Sequence, residues 1–125
     1  MNSNTNQNEL TSMHLPRTQN YIMTTDTEGR ICKWDLSGNP EVMYETWGKI
    51  HAAAMSEDAR FIYVSLEKDF IISKFNLDDR KMELDFNKAH KDNIFSLKLF
   101  HNGIKLISGS ADMRIIIWSV SNGQI

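Results

Sequence analysis

His90, Ser108 and Asp112 are the residue types of an acyl-transfer triad. In such a site a serine hydroxyl attacks, an imidazole takes its proton, and a carboxylate orients the ring. That chemistry needs the serine exposed at a sharp turn, and the sequence has no Gly-Xaa-Ser-Xaa-Gly elbow. Metal chemistry fares no better. His14, His51, His90 and His101 form no close pair, and Cys32 stands alone. No glycine-rich loop has nucleotide-binding spacing. The expectation is a chain with no catalytic site, no metal and no cofactor.

The elements that carry these residues have the composition of one ordinary domain or part of a larger one. The chain has 125 residues, 41% of them hydrophobic and 24% charged. A net charge of −2 offers no field for nucleic acid or acidic lipid. The basic residues of "DDRKMELDFNKAHKDN" alternate with acids, as on a solvated surface. No apolar run reaches the length of a transmembrane helix, and "MNSNTNQNEL" lacks the regions of a signal peptide. Residues 1–9 read as a disordered polar tail, and one cysteine gives no disulfide. These features predict an intracellular protein, cytoplasmic or nuclear.

Three stretches repeat: "TTDTEGRICKWD", "SLEKDFIISKFN" and "SGSADMRIIIWS". Each opens on Thr or Ser (Thr24, Ser65, Ser108). Each places an acid four residues on (Glu28, Asp69, Asp112) and a large aromatic ten residues on (Trp34, Phe75, Trp118). The aromatics are 41 and 43 residues apart, a period that marks propellers and other repeat arrays. Between the repeats lie short apolar runs, split by turns at Glu28-Gly29, Ser37-Gly38-Asn39-Pro40, Asn102-Gly103 and Asn122-Gly123. The pattern predicts eleven strands, four, four and three. "KIHAAAMSEDAR" is ambiguous, since its alanines favour helix while the repeat makes it strand. "RIIIW" is apolar on both faces and predicts a strand covered above and below, as in radially stacked sheets.

With Trp34-Asp35, Phe75-Asn76 and Trp118-Ser119 at one repeating position and Ala89-His90 upstream of the third, the chain resembles the WD-repeat β-propeller family. The resemblance implies an all-β fold of four-stranded blades, about 10–47, 48–89 and 90–125. It also implies a buried hydrogen-bond network in each complete blade. In the third blade this comprises Trp118, Ser108, His90 and Asp112. Ser110 lies on the same face as Ser108, and either serine would serve. Thr24, Glu28 and Trp34 would form a partial set in the first blade, Ser65 and Asp69 in the second. Such a network makes physical sense, because each polar group is costly to bury alone. Cys32, two residues from Trp34, is expected on the same packed side.

Trp47 takes the place of His on the loop entering the second blade. It is either an exposed anchor for a partner or a plug for the space of the missing histidine. Lys49, Lys91 and Asp92 sit on equivalent loops. The resemblance implies a non-catalytic scaffold for protein or peptide partners, with no nucleic acid and no membrane. A structural element of a cytoskeletal or axonemal assembly is the alternative, and a propeller-type hydrolase or lyase a more distant one. Propellers close with about 4–8 blades. Three blades therefore predict a piece of a longer propeller, or self-association to six.

Overall fold

The structure is a computed structural model that describes residues 9–17 and 19–125. The polar tail expected over 1–9 lies outside the described residues except for Glu9. Eleven strands form: β1 (Leu10–His14), β2 (Tyr21–Asp26), β3 (Arg30–Asp35), β4 (Pro40–Glu45), β5 (Ile50–Met55), β6 (Phe61–Leu66), β7 (Ile71–Asn76), β8 (Lys81–Asp85), β9 (Ile94–Phe100), β10 (Lys105–Ser110) and β11 (Ile115–Ser119). Among the described residues a single 3-10 turn spans Lys68–Phe70. The alanine segment is strand β5, its Ala52 and Ala54 packed in the core. Helix propensity is a weak preference that tertiary packing overrides.

Each sheet is an antiparallel meander: β1-β2-β3-β4, then β5-β6-β7-β8, then β9-β10-β11. The inner strands β1, β5 and β9 adjoin one another, so the sheets fan out from a shared inner edge. One core layer joins the first sheet to the second, with Met23 and Ile31 against Ile62, Val64 and Phe75. Another joins the second to the third, with Tyr63 and Ile72 against Leu106, Ile116 and Trp118. Phe86 packs on Trp118 with ring centroids 5.6 Å apart. The three sheets are blades of an open β-propeller, and the ring is not closed.

Each sheet thus has a preceding face and a following face. Trp34, Phe75 and Trp118 all lie on preceding faces. The expectation that "RIIIW" is covered on both sides holds on one side only. Ile116 and Trp118 are buried against the second sheet, whereas Ile115 is 72% exposed and Ile117 47%. The difference arises because no fourth sheet follows the third among the described residues.

Candidate functional site

Four side chains of the third sheet form one chain of hydrogen bonds. The Trp118 indole N–H donates to Ser108 Oγ at 2.9 Å. Ser108 Oγ lies 2.7 Å from His90 Nε2, and His90 Nδ1 lies 2.8 Å from Asp112 Oδ2. With the proton on Nδ1, every group donates toward the carboxylate: indole to hydroxyl, hydroxyl to Nε2, Nδ1–H to Asp112. The backbone N–H groups of Lys91 and Arg114 also donate to Asp112, each at 2.9 Å. The carboxylate thereby ties the loop that enters the sheet to the β10–β11 turn. Partial desolvation pushes the Asp112 pKa up. The Lys91 N–H, the His90 ring and the Arg114 N–H outweigh it and hold the pKa well below the usual carboxylate range. Ser110 plays a separate part: its hydroxyl accepts the Asp112 N–H and donates to the Asp92 carbonyl.

The first sheet repeats half of this arrangement. Trp34 Nε1 donates to Thr24 Oγ1 at 2.9 Å. The acid of the turn, however, is Asp26 and not Glu28. Asp26 Oδ1 accepts the N–H groups of Glu28 and Arg30 at 2.9 Å each, and Arg30 Nε donates to Oδ2 at 3.1 Å. The Glu28 side chain is exposed. The repeat spacing points to the acid four residues after Thr24 and so passes over Asp26. The signal was available, since an Asp just before a Gly turn readily accepts N–H groups two and four residues on. Cys32 lies beside Trp34 on the preceding face, 3% exposed, and burial pushes its thiol pKa up. A reactive thiolate is disfavoured there.

The second sheet departs further. Ser65 and Phe75 are ten residues apart, as in the other repeats, but on opposite faces. Phe75 pairs with Ile62 and faces the first sheet, whereas Ser65 pairs with Ile72 and faces the third. The cause is the hairpin turn. The last paired residues Leu66 and Ile71 enclose four residues. Thr25 and Ile31, and likewise Gly109 and Ile115, enclose five. A one-residue change reverses which side chains share a face. The position equivalent to Ser108 is therefore Val64. Ser65 instead accepts the Ala52 N–H and donates to the Ile94 carbonyl, both at 2.9 Å, tying the second sheet to β9. Asp69 leaves the network too: its carboxylate pairs with Lys88 at 3.7 Å, with both side chains exposed.

The loops that carry Trp47, Lys49, Lys91 and Asp92 emerge at the same end of the sheets as the β2–β3, β6–β7 and β10–β11 turns. Trp47 is 91% exposed, which overturns its reading as a plug. The loop beneath it is pinned. Thr46 N–H donates to the Gly29 carbonyl at 2.7 Å, and the Thr46 hydroxyl shares its proton between the Gly29 and Gly48 carbonyls at 3.0 and 2.8 Å. Gly29 holds a φ of +84°, and a Cβ there would overlap the Gly48 carbonyl. Only glycine meets both demands. Lys49, Lys91 and Asp92 are exposed as well. Asp92 caps its own loop by accepting the Asn93 N–H at 2.8 Å.

A groove of about 870 Å³ runs along the inner strands, lined by Ser12, His14, Met55, Asp58, Lys98 and Asn102 among others. Burial, and then the Lys98 charge, push the His14 pKa down. Among the described residues no group of three His, Cys, Asp or Glu side chains is placed to hold a metal. None of their helices is long and apolar enough to cross a membrane.

Fanned antiparallel meanders of four, four and three strands, two of them with a tryptophan on the third strand bonded to a hydroxyl on the second, define the class: propeller blades. Comparison with known proteins gives the type. Residues 82–119 match the family described as WD domain, G-beta repeat. A stretch of 67 residues, 52% of the chain, is 41% identical to the 26S proteasome regulatory subunit RPN14 of Saccharomyces cerevisiae (strain ATCC 204508 / S288c). It spans 15% of that relative's length. Among solved structures, "Structure of U3-55K" superposes with a TM-score of 0.80 at 18% identity, covering 93% of this chain and 37% of that one. "Crystal structure of RRP9 WD40 repeats" gives 0.78 at 16%, with the same coverages of 93% and 37%. Residues 82–119 are thus of WD-repeat type and the whole chain shares the fold of WD40 propellers, and WD repeats generally serve as protein-interaction scaffolds.

Proposed function

We propose that the chain is a non-catalytic scaffold that docks protein or peptide partners on its loop-bearing end, with Trp47 as the anchor. One observation carries this reading: a tryptophan almost wholly in water on a loop fixed by three hydrogen bonds to backbone carbonyls. A rigid exposed aromatic offers a large apolar contact at little entropic cost, which is why Trp is enriched at binding hot spots. Lys49, Lys91 and Asp92 add charged contacts at the same end, with smaller shares because they stay hydrated. The non-catalytic part rests on Ser108, which is wholly buried and already bonded, so its hydroxyl cannot reach a substrate. A net charge of −2 favours protein over nucleic acid. The reading includes an intracellular setting, cytoplasmic or nuclear. The likeness to a proteasome regulatory subunit makes components of that particle the first partners to assay.

The test is affinity capture, quantified by mass spectrometry, with wild type and Trp47→Ala side by side. Trp47 touches no core, so the variant keeps its strand signal in circular dichroism. Captured partners are expected to fall tenfold or more in the variant. An identical partner set at identical yield overturns the assignment of Trp47.

A further inference from the structure

Two asparagines precede a glycine, Asn102-Gly103 and Asn122-Gly123, and both pairs sit in turns. In such a pair the glycine nitrogen can attack the asparagine side-chain carbonyl, because no β-carbon shields it. The two dipeptides are the same, so a difference in their chemistry comes from the fold.

Asn122 is locked. Its Oδ1 accepts the Gln124 N–H at 3.0 Å. The Gly123 N–H donates to the Ser119 carbonyl at 2.9 Å, and the Gly123 carbonyl accepts the Asn87 N–H at 3.1 Å. Gly123 is buried against Phe86, so close that a Cβ would lie 3.0 Å from it. The attacking nitrogen and the group it would attack are both held.

Asn102 is not. It is exposed, and its side chain has no hydrogen-bond partner among the described residues. Nothing lies within 4 Å of a Cβ built on Gly103. Two long bonds hold the turn, Gly103 N–H to the Phe100 carbonyl and Ile104 N–H to the His101 carbonyl, each at 3.2 Å. His101, Asn102 and Gly103 take φ values of +56°, +55° and +83°. A left-handed backbone costs free energy at the two residues that carry side chains. A strained turn with few contacts opens readily.

We propose that Asn102 is a self-modification site, which converts through a cyclic imide to aspartate and isoaspartate while Asn122 is spared. The Gly103 nitrogen gives up its proton and attacks Asn102 Cγ. A C–N bond forms, the bond from Cγ to Nδ2 breaks, and ammonia leaves with that proton. Water then opens either carbonyl of the imide. One opening gives aspartate, and the other gives isoaspartate, whose main chain runs through the former side chain. Nothing is oxidised or reduced. Asn102 lines the groove that also holds His14 and Lys98, so the product sets a carboxylate on its rim. The inference is independent of docking at Trp47, since the β9–β10 turn lies at the opposite end of the sheets.

Peptide mapping by tandem mass spectrometry tests it, on the whole chain aged in mildly alkaline buffer with and without urea. In the folded chain Asn102 is expected to convert about tenfold or more faster than Asn122, because the second site must first open. In urea, where the fold is lost, the two are expected to convert at similar rates. An isoaspartate methyltransferase with labelled S-adenosylmethionine is expected to mark the peptide that holds residue 102, and Asn102→Gln to lose that mark. Equal rates in the folded chain, a faster Asn122, an Asn102 that reacts only in urea, or a gap in urea as wide as in the fold each overturns the assignment.

Discussion

The second and third sheets carry the same spacing and reach different ends. Ser108 and Trp118 are bonded at 2.9 Å, while Ser65 and Phe75, also ten residues apart, lie on opposite faces. The third sheet spends its hydroxyl within the blade, holding indole and imidazole together. The second spends it between blades, on the Ile94 carbonyl of β9. One residue in a hairpin turn decides which. Sequence distance along two strands fixes a shared face only when the turn between them is known.

The sharpest way to break this contrast is Trp118→Ala. It removes the largest fully buried side chain and leaves the Ser108 oxygen without its indole donor. A loss of about 3–5 kcal/mol is expected from the cavity, read by urea unfolding, and marginal folding at best. Phe75→Trp goes next. Its new N–H faces Val64 with no acceptor, so a cost of about 1–3 kcal/mol is expected. Val64→Ser supplies that acceptor at the position of Ser108. The double variant is therefore expected to recover about 1 kcal/mol relative to additivity. No recovery would mean that the two sheets differ by more than register.

Acid exposes a smaller difference. The Asp112 pKa is depressed in the fold, so its contribution is complete above the ordinary carboxylate value of about 4 and drains away as pH falls toward the folded value. Asp35 and Asp58 are lowered too, Asp35 by the backbone and side chain of Asn39 and Asp58 by the Ser56 hydroxyl. The informative quantity is the gap between wild type and Asp112→Asn in thermal unfolding. That gap is expected to be constant from pH 7 to about 4 and to narrow below it. The smallest effect is expected for Trp34→Phe, about 1 kcal/mol or less, because Trp34 is half-buried and bonded to Thr24 alone among the described residues.

Much of this was legible in the sequence. The strand count of four, four and three followed from short apolar runs between turn residues, and the sheets have that make-up. The partnership of Trp118, Ser108, His90 and Asp112 was readable because the family pattern and the need to pair buried polar groups agreed on the same residues. Ser65 was not, because its face depends on how many residues the β6–β7 turn encloses, and a local 3-10 turn leaves no fixed mark in residue types. The repeat offset points to Glu28, while the turn accepts whichever carboxylate its N–H groups can reach, and that is Asp26. The repeat pattern is compatible with both an exposed and a buried Trp47, since it locates a residue on a loop without saying which way it points.

Gly29 joins two of these observations. Its bare α-carbon lets one blade's hairpin nestle under the strap that bears Trp47, so the strap takes its posture from a neighbour as well as from its own Thr46. An alanine at position 29 would lift that strap without altering the indole itself. If Trp47 docks a partner as proposed, that docking would then fade through a displaced foundation, and the first blade would act as a remote governor of what the second can grasp.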